Sequence, residues 1–219
     1  VISLGIVCVL MLGEIDLSVG SMSGLASALI GVLWANAGVS LPLAILAALA
    51  CGALIGAVYA LLYNRLGMPS FVSTLSGLLA ILGLQLYILG PTGSINLPFA
   101  SPLVGFGQLW ILPQWASYLL GLLPGAVMVW VGLSVMKQRS AAGLSSQPLT
   151  RLVLKAAALT VALEGAIYYL HLGRGVPVMF ALFVLLAVIL NYGLTRTQWG
   201  RSMFAVGGNK EAARRSGML

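Results

Sequence analysis

Charge is what this 219-residue chain has least of: 4 acidic and 11 basic side chains make up 7% of it, where a soluble domain carries about 25%. So little charge, set beside 60% hydrophobic residues, excludes a water-soluble globule, because one soluble core cannot bury that much apolar surface. Histidine occurs once and cysteine twice. No group of Cys, His and carboxylates has metal-ligand spacing, so no metal site is expected. Cys8 and Cys51 each lie inside an apolar run, where a thiol behaves as a small hydrophobe and implies no disulfide framework. No stretch reads G-x-x-x-x-G-K-[ST], so the chain has no P-loop to cradle phosphates, and any ATP energy must come from a partner. The one close carboxylate pair, Glu14 and Asp16, would point apart on a helix, which makes a poor acid–base dyad and argues against an enzyme. The net charge of +7 is scattered between apolar runs without interleaved aromatics, which argues against nucleic acid as a partner.

What the chain does have is long apolar runs with 27 glycines spread through them, and small residues let helices approach closely in a bilayer. A membrane-crossing helix takes about 20 apolar residues. The candidates are Val1–Leu12 as the tail of a span, Leu17–Asn36, Leu41–Tyr63, Phe71–Leu89, Trp115–Met136, Leu152–Leu172 and Val176–Leu194. The expected fold class is all-α, a polytopic transmembrane helical bundle with about seven spans, residues 1–219 forming a single transmembrane domain. Gly90–Gln114 carries Pro91, Gly93, Pro98, Pro102, Gly105, Gly107 and Pro113, and is too broken to span alone. It reads as an external loop or a re-entrant piece. The chain opens inside an apolar run at Val1 and stops in a polar segment at Leu219, as expected of a fragment truncated at both ends.

The basic residues orient these spans. Arg65 follows the third candidate, Lys137, Arg139, Arg151 and Lys155 lie between the fifth and sixth, and Arg196, Arg201, Lys210, Arg214 and Arg215 follow the seventh. With alternating directions all three groups fall on one side, which is then cytoplasmic, together with the Gly13–Asp16 loop. Gly90–Gln114 and Arg174 face outward.

Two polar segments stand out. In Gly13-Glu14-Ile15-Asp16-Leu17-Ser18-Val19-Gly20, Asp16 or Ser18 caps the following helix, or the segment is a fixed polar element at the cytoplasmic mouth of a pathway. In Gly200–Leu219, Asn209 is a good N-cap, Glu211 falls in the first helical turn, Arg214 and Arg215 in the last, and Gly217 can terminate it, which predicts a short helix. A solvated juxtamembrane helix touching anionic membrane lipid is one reading of it.

Taken together, Gly-Glu-Ile-Asp-Leu-Ser-Val-Gly at 13–20 and Gly-Arg-Ser-Met-Phe-Ala-Val-Gly-Gly-Asn-Lys-Glu-Ala-Ala-Arg-Arg-Ser-Gly at 200–217 resemble the permease family of bacterial sugar ABC importers, typified by ribose and xylose permeases. Pro-Ser-Phe-Val-Ser-Thr-Leu at 69–75 is similar to a third segment of that family. The stretch from about Trp115 to His171, insert-like over residues 115–172, adds two spans and looks like the xylose-permease branch, while Glu14 stands where the ribose-type motif more often has glycine. The resemblance implies a multi-pass inner-membrane subunit that forms a homodimer, takes sugar from an extracytoplasmic binding protein and is driven by a separate cytoplasmic ABC ATPase, with no cofactor of its own. It also implies that residues 195–219 are the cytoplasmic coupling segment, with Asn209, Glu211, Ala212, Ala213, Arg214 and Gly217 meeting the ATPase. Gly13, Glu14, Asp16, Ser18 and Gly20 would form the family motif near the cytoplasmic mouth.

Ser73, Thr74 and Gln85 in the shared spans are candidate pathway residues for hydroxyl-rich cargo, or they tie helices together. Gly20-x-x-x-Gly24 and Gly52-x-x-x-Gly56 read as close-packing contacts. Glu164 lies roughly 12 Å inside its span at 1.5 Å per residue, and is expected to be structural, protonated or paired within the bundle. His171, near the outer end, is expected to be solvated. The scarcity of buried charge favours a neutral cargo, and the resemblance narrows it to a pentose such as xylose. A secondary transporter or channel working without ATP is the rival reading, and would show interrupted helices around paired intramembrane charges.

Overall fold

The computed structural model describes residues 1–145 and 148–217. Ser146 and Gln147 of the expected basic loop, and Met218 and Leu219 of the coupling segment, lie outside the described residues. The all-α expectation holds, with an isolated bridge between Ile111 and Pro177 as the one extended pairing among the described residues. The helices are α1 (Ile2–Met11), α2 (Val19–Ile30, prolonged by a π-helical turn at Gly31–Asn36), α3 (Leu41–Leu66), α4 (Ser70–Leu89), α5 (Pro102–Val104), α6 (Gln114–Ala141), α7 (Leu149–Leu172), α8 (Val178–Arg196), α9 (Gln198–Gly208) and α10 (Lys210–Arg215). Among the described residues, six helical segments are long and apolar enough to cross a membrane: Val19–Asn36, Leu41–Leu66, Ser70–Thr92, Gln114–Ala141, Leu149–Leu172 and Val178–Arg196. The first expected span is present only as the 10-residue α1.

Local chemistry sets the helix ends. α3 stops at Gly67, whose φ of 64° is left-handed and lets the Met68 N–H donate back to the Leu62 carbonyl, a conformation that glycine adopts without a Cβ clash. Prolines at 69, 113 and 148 stand immediately before α4, α6 and α7, holding the entry residue extended where a missing N–H costs nothing. Gly90–Gln114 contains no spanning helix, only a 3-10 turn at Gly90–Thr92, α5 and a π-helical turn at Gly105–Leu109. One element was not expected: α9, which carries Gly200, Gly207 and Gly208.

The chain divides into two compact units. The first comprises residues 1–99 and 185–219, and the second residues 100–184, which contain the insert-like Trp115–His171 stretch. In the first unit α2 packs on both α3 and α4. Gly24 lies under the Gln85 side chain and Gly77 under the Tyr59 hydroxyl. Gly52 is in ordinary contact with Met22, while Gly20 and Gly56 face open space, so only part of the expected glycine pairing is used for packing.

The second unit is built on the α6–α7 hairpin, where the glycines at 121, 125 and 132 receive Ile167, Thr160 and Leu152 from α7. Pro124 sits inside α6, which leaves one carbonyl of that helix without its intrahelical donor. Glu164 rests against Gly121, and both of its carboxylate oxygens are buried with no hydrogen-bond partner among the described residues, so of the two alternatives, protonated or paired, the paired one is not seen there. His171 is not solvated as expected: it stacks on Tyr118 with ring centroids 5.8 Å apart, and its Nε2 is buried without a partner.

Candidate functional site

Both polar segments singled out in the sequence come together in the first unit. The 13–18 segment is a loop clipped onto the first turn of α4. Glu14 accepts a hydrogen bond from the Ser70 hydroxyl at 2.6 Å on one oxygen and from the Tyr63 hydroxyl on the other. The Ile15 N–H donates to Ser70 Oγ at 3.4 Å and the Leu17 N–H to Thr74 Oγ1 at 3.3 Å, while Thr74 also donates to the Ser70 carbonyl. A loop whose N–H groups have no ladder needs such partners, and the hydroxyls that start α4 supply them. These bonds hold the Glu14 carboxyl below its ordinary value: donation from Ser70 is the largest cause, donation from Tyr63 the next, slight burial opposes both, and the Lys210 charge helps.

Asp16 does not cap α2 as expected. It accepts the N–H and the hydroxyl of Ser18 at 2.8 and 2.7 Å, closing a turn just before the helix. Ser18 occupies the N-cap position but makes no side-chain cap bond, because its hydroxyl is already given to Asp16. Ser18 is 2% exposed.

The C-terminal segment arrives at the same place. Gly200 turns the chain tightly against the Leu194 carbonyl, and Gly207 lies directly on the backbone of Met11 and Leu12. Only a residue without a Cβ allows either approach. Asn209 then caps α10, its side chain accepting the Ala212 N–H at 2.9 Å. Gly217 terminates the segment with φ 74°, as the sequence predicts. Lys210 Nζ donates to the Tyr63 hydroxyl, 4.4 Å from that ring's centroid, so a continuous chain runs from Lys210 through Tyr63 to Glu14. Glu211, Ala212, Arg214 and Arg215 are exposed, with an Arg215–Glu211 ion pair at 3.3 Å along the helix, whereas Ala213 is 3% exposed and turned into the protein. Of the residues expected to meet an ATPase, Ala213 is therefore the inward anchor of the helix.

The candidate pathway residues do not converge. Thr74 is spent on the loop clip, and Ser73, which donates to the Ser70 carbonyl, lines a groove of about 350 Å³ between α3 and α4. Gln85 borders a separate pocket of about 210 Å³ with Ser27 and Ser94. A groove of about 700 Å³ lies between α1, α2 and α3, and its polar lining is Asp16, Ser18, Ser23 and Tyr59. Tyr59, whose hydroxyl is buried without a partner, escaped the sequence reading, as did Tyr63, Ser70 and Lys210. A tyrosine three residues before the end of α3, a serine opening a helix and a lysine after an N-cap are each unremarkable until the fold joins them.

The model of the branched-chain amino acid transport system / permease component family matches residues 1–218. The chain is 36% identical over 220 residues to the xylose transport system permease protein XylH of Escherichia coli strain K12, which covers 100% of this chain and 55% of that protein. It is 33% identical to the XylH protein of Haemophilus influenzae, over 99% of this chain and 57% of that protein. It is 30% identical to the autoinducer 2 import system permease protein LsrC of Enterobacter sp. strain 638, over 99% of this chain and 44% of that protein. The chain thus spans about half the length of the curated relatives it matches. No solved structure matches.

Proposed function

Because this chain belongs to the family of branched-chain amino acid transport system permease components, we propose that it is part of the membrane subunit of an ATP-driven sugar importer, carrying a neutral monosaccharide, xylose or a related pentose. Family membership and six membrane-length helices make it a multi-pass protein of the bacterial inner membrane. The observation that carries the importer reading is the presentation of α10. It is a capped helix held at the end of the unit that also bears the 13–18 motif, with Glu211, Ala212, Arg214 and Arg215 exposed and nothing of its own to catalyse. Such a helix suits the transmission of a rigid-body movement to a soluble partner.

On this reading α10 docks into a cytoplasmic ABC ATPase, a second copy of the permease completes the pathway, and an extracytoplasmic binding protein delivers the sugar. Basic-residue bias puts α9, α10 and Arg65 on the cytoplasmic side and Gly90–Gln114 outside. Neutral cargo is favoured because the one charged side chain bordering these grooves, Asp16, is already spent on Ser18, while Ser, Gln and Tyr side chains make up the rest of their polar lining. Xylose is favoured by the relatives named for it. Uptake of labelled xylose by cells with the complete system, with ribose and galactose as competitors, tests the proposal. Deletion of the gene is expected to abolish xylose uptake. Unchanged xylose uptake, with loss of an amino acid or an anion instead, would refute it.

A further inference from the structure

The α10 helix is only six residues long, far below the length at which a helix holds itself in water. Its direction therefore depends on its anchors. Asn209 caps it and Ala213 buries one face, but both act within or directly beneath the helix. Lys210 alone reaches a polar group of another element, the hydroxyl of Tyr63, 147 residues away in sequence. Tyr63 closes the last turns of α3 and simultaneously donates to Glu14, whose other oxygen is held by Ser70 at the start of α4. The hydroxyl thus accepts from a cation and donates to an anion, an arrangement in which each bond polarises and strengthens the other.

We propose that Tyr63 is a positioning residue that couples the 13–18 loop to the docking helix. Through Lys210 it sets the direction of α10 according to where the α1–α2 connection and the ends of α3 and α4 stand. The inference rests on the importer reading and adds to it the residue that passes the movement on.

The two halves of the chain are unequal. Glu14 is held by two hydroxyl donors on a loop that backbone bonds also fix. Lys210 is an exposed side chain making one bond, and holding a long, solvated lysine in one geometry is entropically opposed. The relay therefore opens at Lys210 while the Glu14–Tyr63–Ser70 cluster persists. A link that both forms and breaks is what a transport cycle requires, since a permanent one would freeze α10.

The test uses the full-length permease reconstituted with its ATPase and binding protein, comparing the ratio of xylose-stimulated to basal ATP hydrolysis in Tyr63→Phe, Lys210→Met, the double variant and Lys210→Arg. Each single change is expected to lower the ratio about fivefold, the double change no further, since residues acting through one contact are not additive. Lys210→Arg, which keeps a cationic donor, should retain most of the wild-type ratio. Hydrogen exchange on the permease alone gives a readout independent of cargo: amides of residues 209–217 should exchange faster in Tyr63→Phe and Lys210→Met to the same extent. Additive losses, an unchanged ratio, Lys210→Arg behaving as Lys210→Met, or unaltered exchange in α10 would overturn the relay. Absence of xylose stimulation in the wild type would count against the importer reading instead, and the exchange experiment would still decide the relay.

Discussion

Replacing Gly207 by alanine should dislodge the C-terminal helices from α1. A Cβ on Gly207 would overlap the Met11 carbonyl oxygen, come 2.9 Å from its carbon and 3.5 Å from Leu12 Cα. All three are backbone atoms of a helix end, which cannot swing aside as a flexible side chain could. The carbonyl oxygen is the nearest of the three, and a carbon and an oxygen keep about 3.3 Å or more between them, so α9 would have to retreat by about 1.5 Å. A shift of that size three residues from Lys210 is enough to part Lys210 from the Tyr63 hydroxyl, since a hydrogen bond does not survive a stretch of about 1 Å. Overpacking of this kind costs about 1–3 kcal/mol, against a gain of up to about 1 kcal/mol from replacing glycine by alanine within a helix. Gly208 is the internal control, because a Cβ there meets nothing within 4 Å while the helix-propensity gain is the same. Thermal unfolding of the full-length permease in detergent, together with uptake in cells, is expected to show Gly207→Ala less stable and less active than wild type and Gly208→Ala equal or slightly more stable. Identical behaviour of the two alanines in both assays would refute the close approach.

Tyr59→Phe removes a hydroxyl that is buried with no partner, so unfolding in detergent should show a neutral or stabilising change; a loss above about 1 kcal/mol would mean the hydroxyl is satisfied. Glu14 has its carboxyl held below the ordinary 4.5, so its contribution is present above that value and lost as the pH falls through the lower folded one. Stability and α10 protection should therefore be flat in this respect from about pH 5 to 8 and decline only in acid. Glu14→Gln should remove that acid-side dependence. Single cysteines at Ser94 and Gln138 of the full-length protein, probed with an impermeant reagent on intact cells, should label at Ser94 only; labelling at Gln138 would reverse the assigned topology.

The spans were legible because lipid leaves the sequence little freedom: every spanning backbone must close its own hydrogen bonds, so long apolar runs become helices. Their ends were less so. α6 runs on through Lys137 and Arg139 to Ala141, since long basic side chains can extend a helix past the apolar region and still reach water. α9 was hidden by its glycines at 200, 207 and 208, which read locally as helix breakers. Two of them are instead the places where one backbone lies on another, and that requirement is tertiary. The Asn209 cap could be read because its partner is three residues away. The bonds of Tyr63 to Glu14 and Lys210 span 49 and 147 residues, and no local pattern announces them. Asp16 and Ser18 show the intermediate case: both residue types fit a cap, but the carboxylate satisfied Ser18 itself, a competition between local bonds that spacing alone does not resolve.

The 4 carboxylates of the chain divide in a way that bears on mechanism. Glu14, Asp16 and Glu211 belong to the 13–18 loop and α10 of the first unit, and each has a partner: Tyr63 and Ser70, Ser18, and Arg215. Glu164 lies inside α7 of the second unit, with both oxygens buried and unpartnered. A carboxylate at a surface held by hydroxyls and an adjacent lysine exchanges those bonds for water at modest cost, so it can serve an element that moves. A carboxylate buried among glycine and aliphatic side chains has no such exchange open to it. The 13–18 loop and α10 are where the first unit gathers its acidic side chains, and one of them, Asp16, also borders the groove of about 700 Å³ beside Ser18, Ser23 and Tyr59, its carboxylate already spent on Ser18.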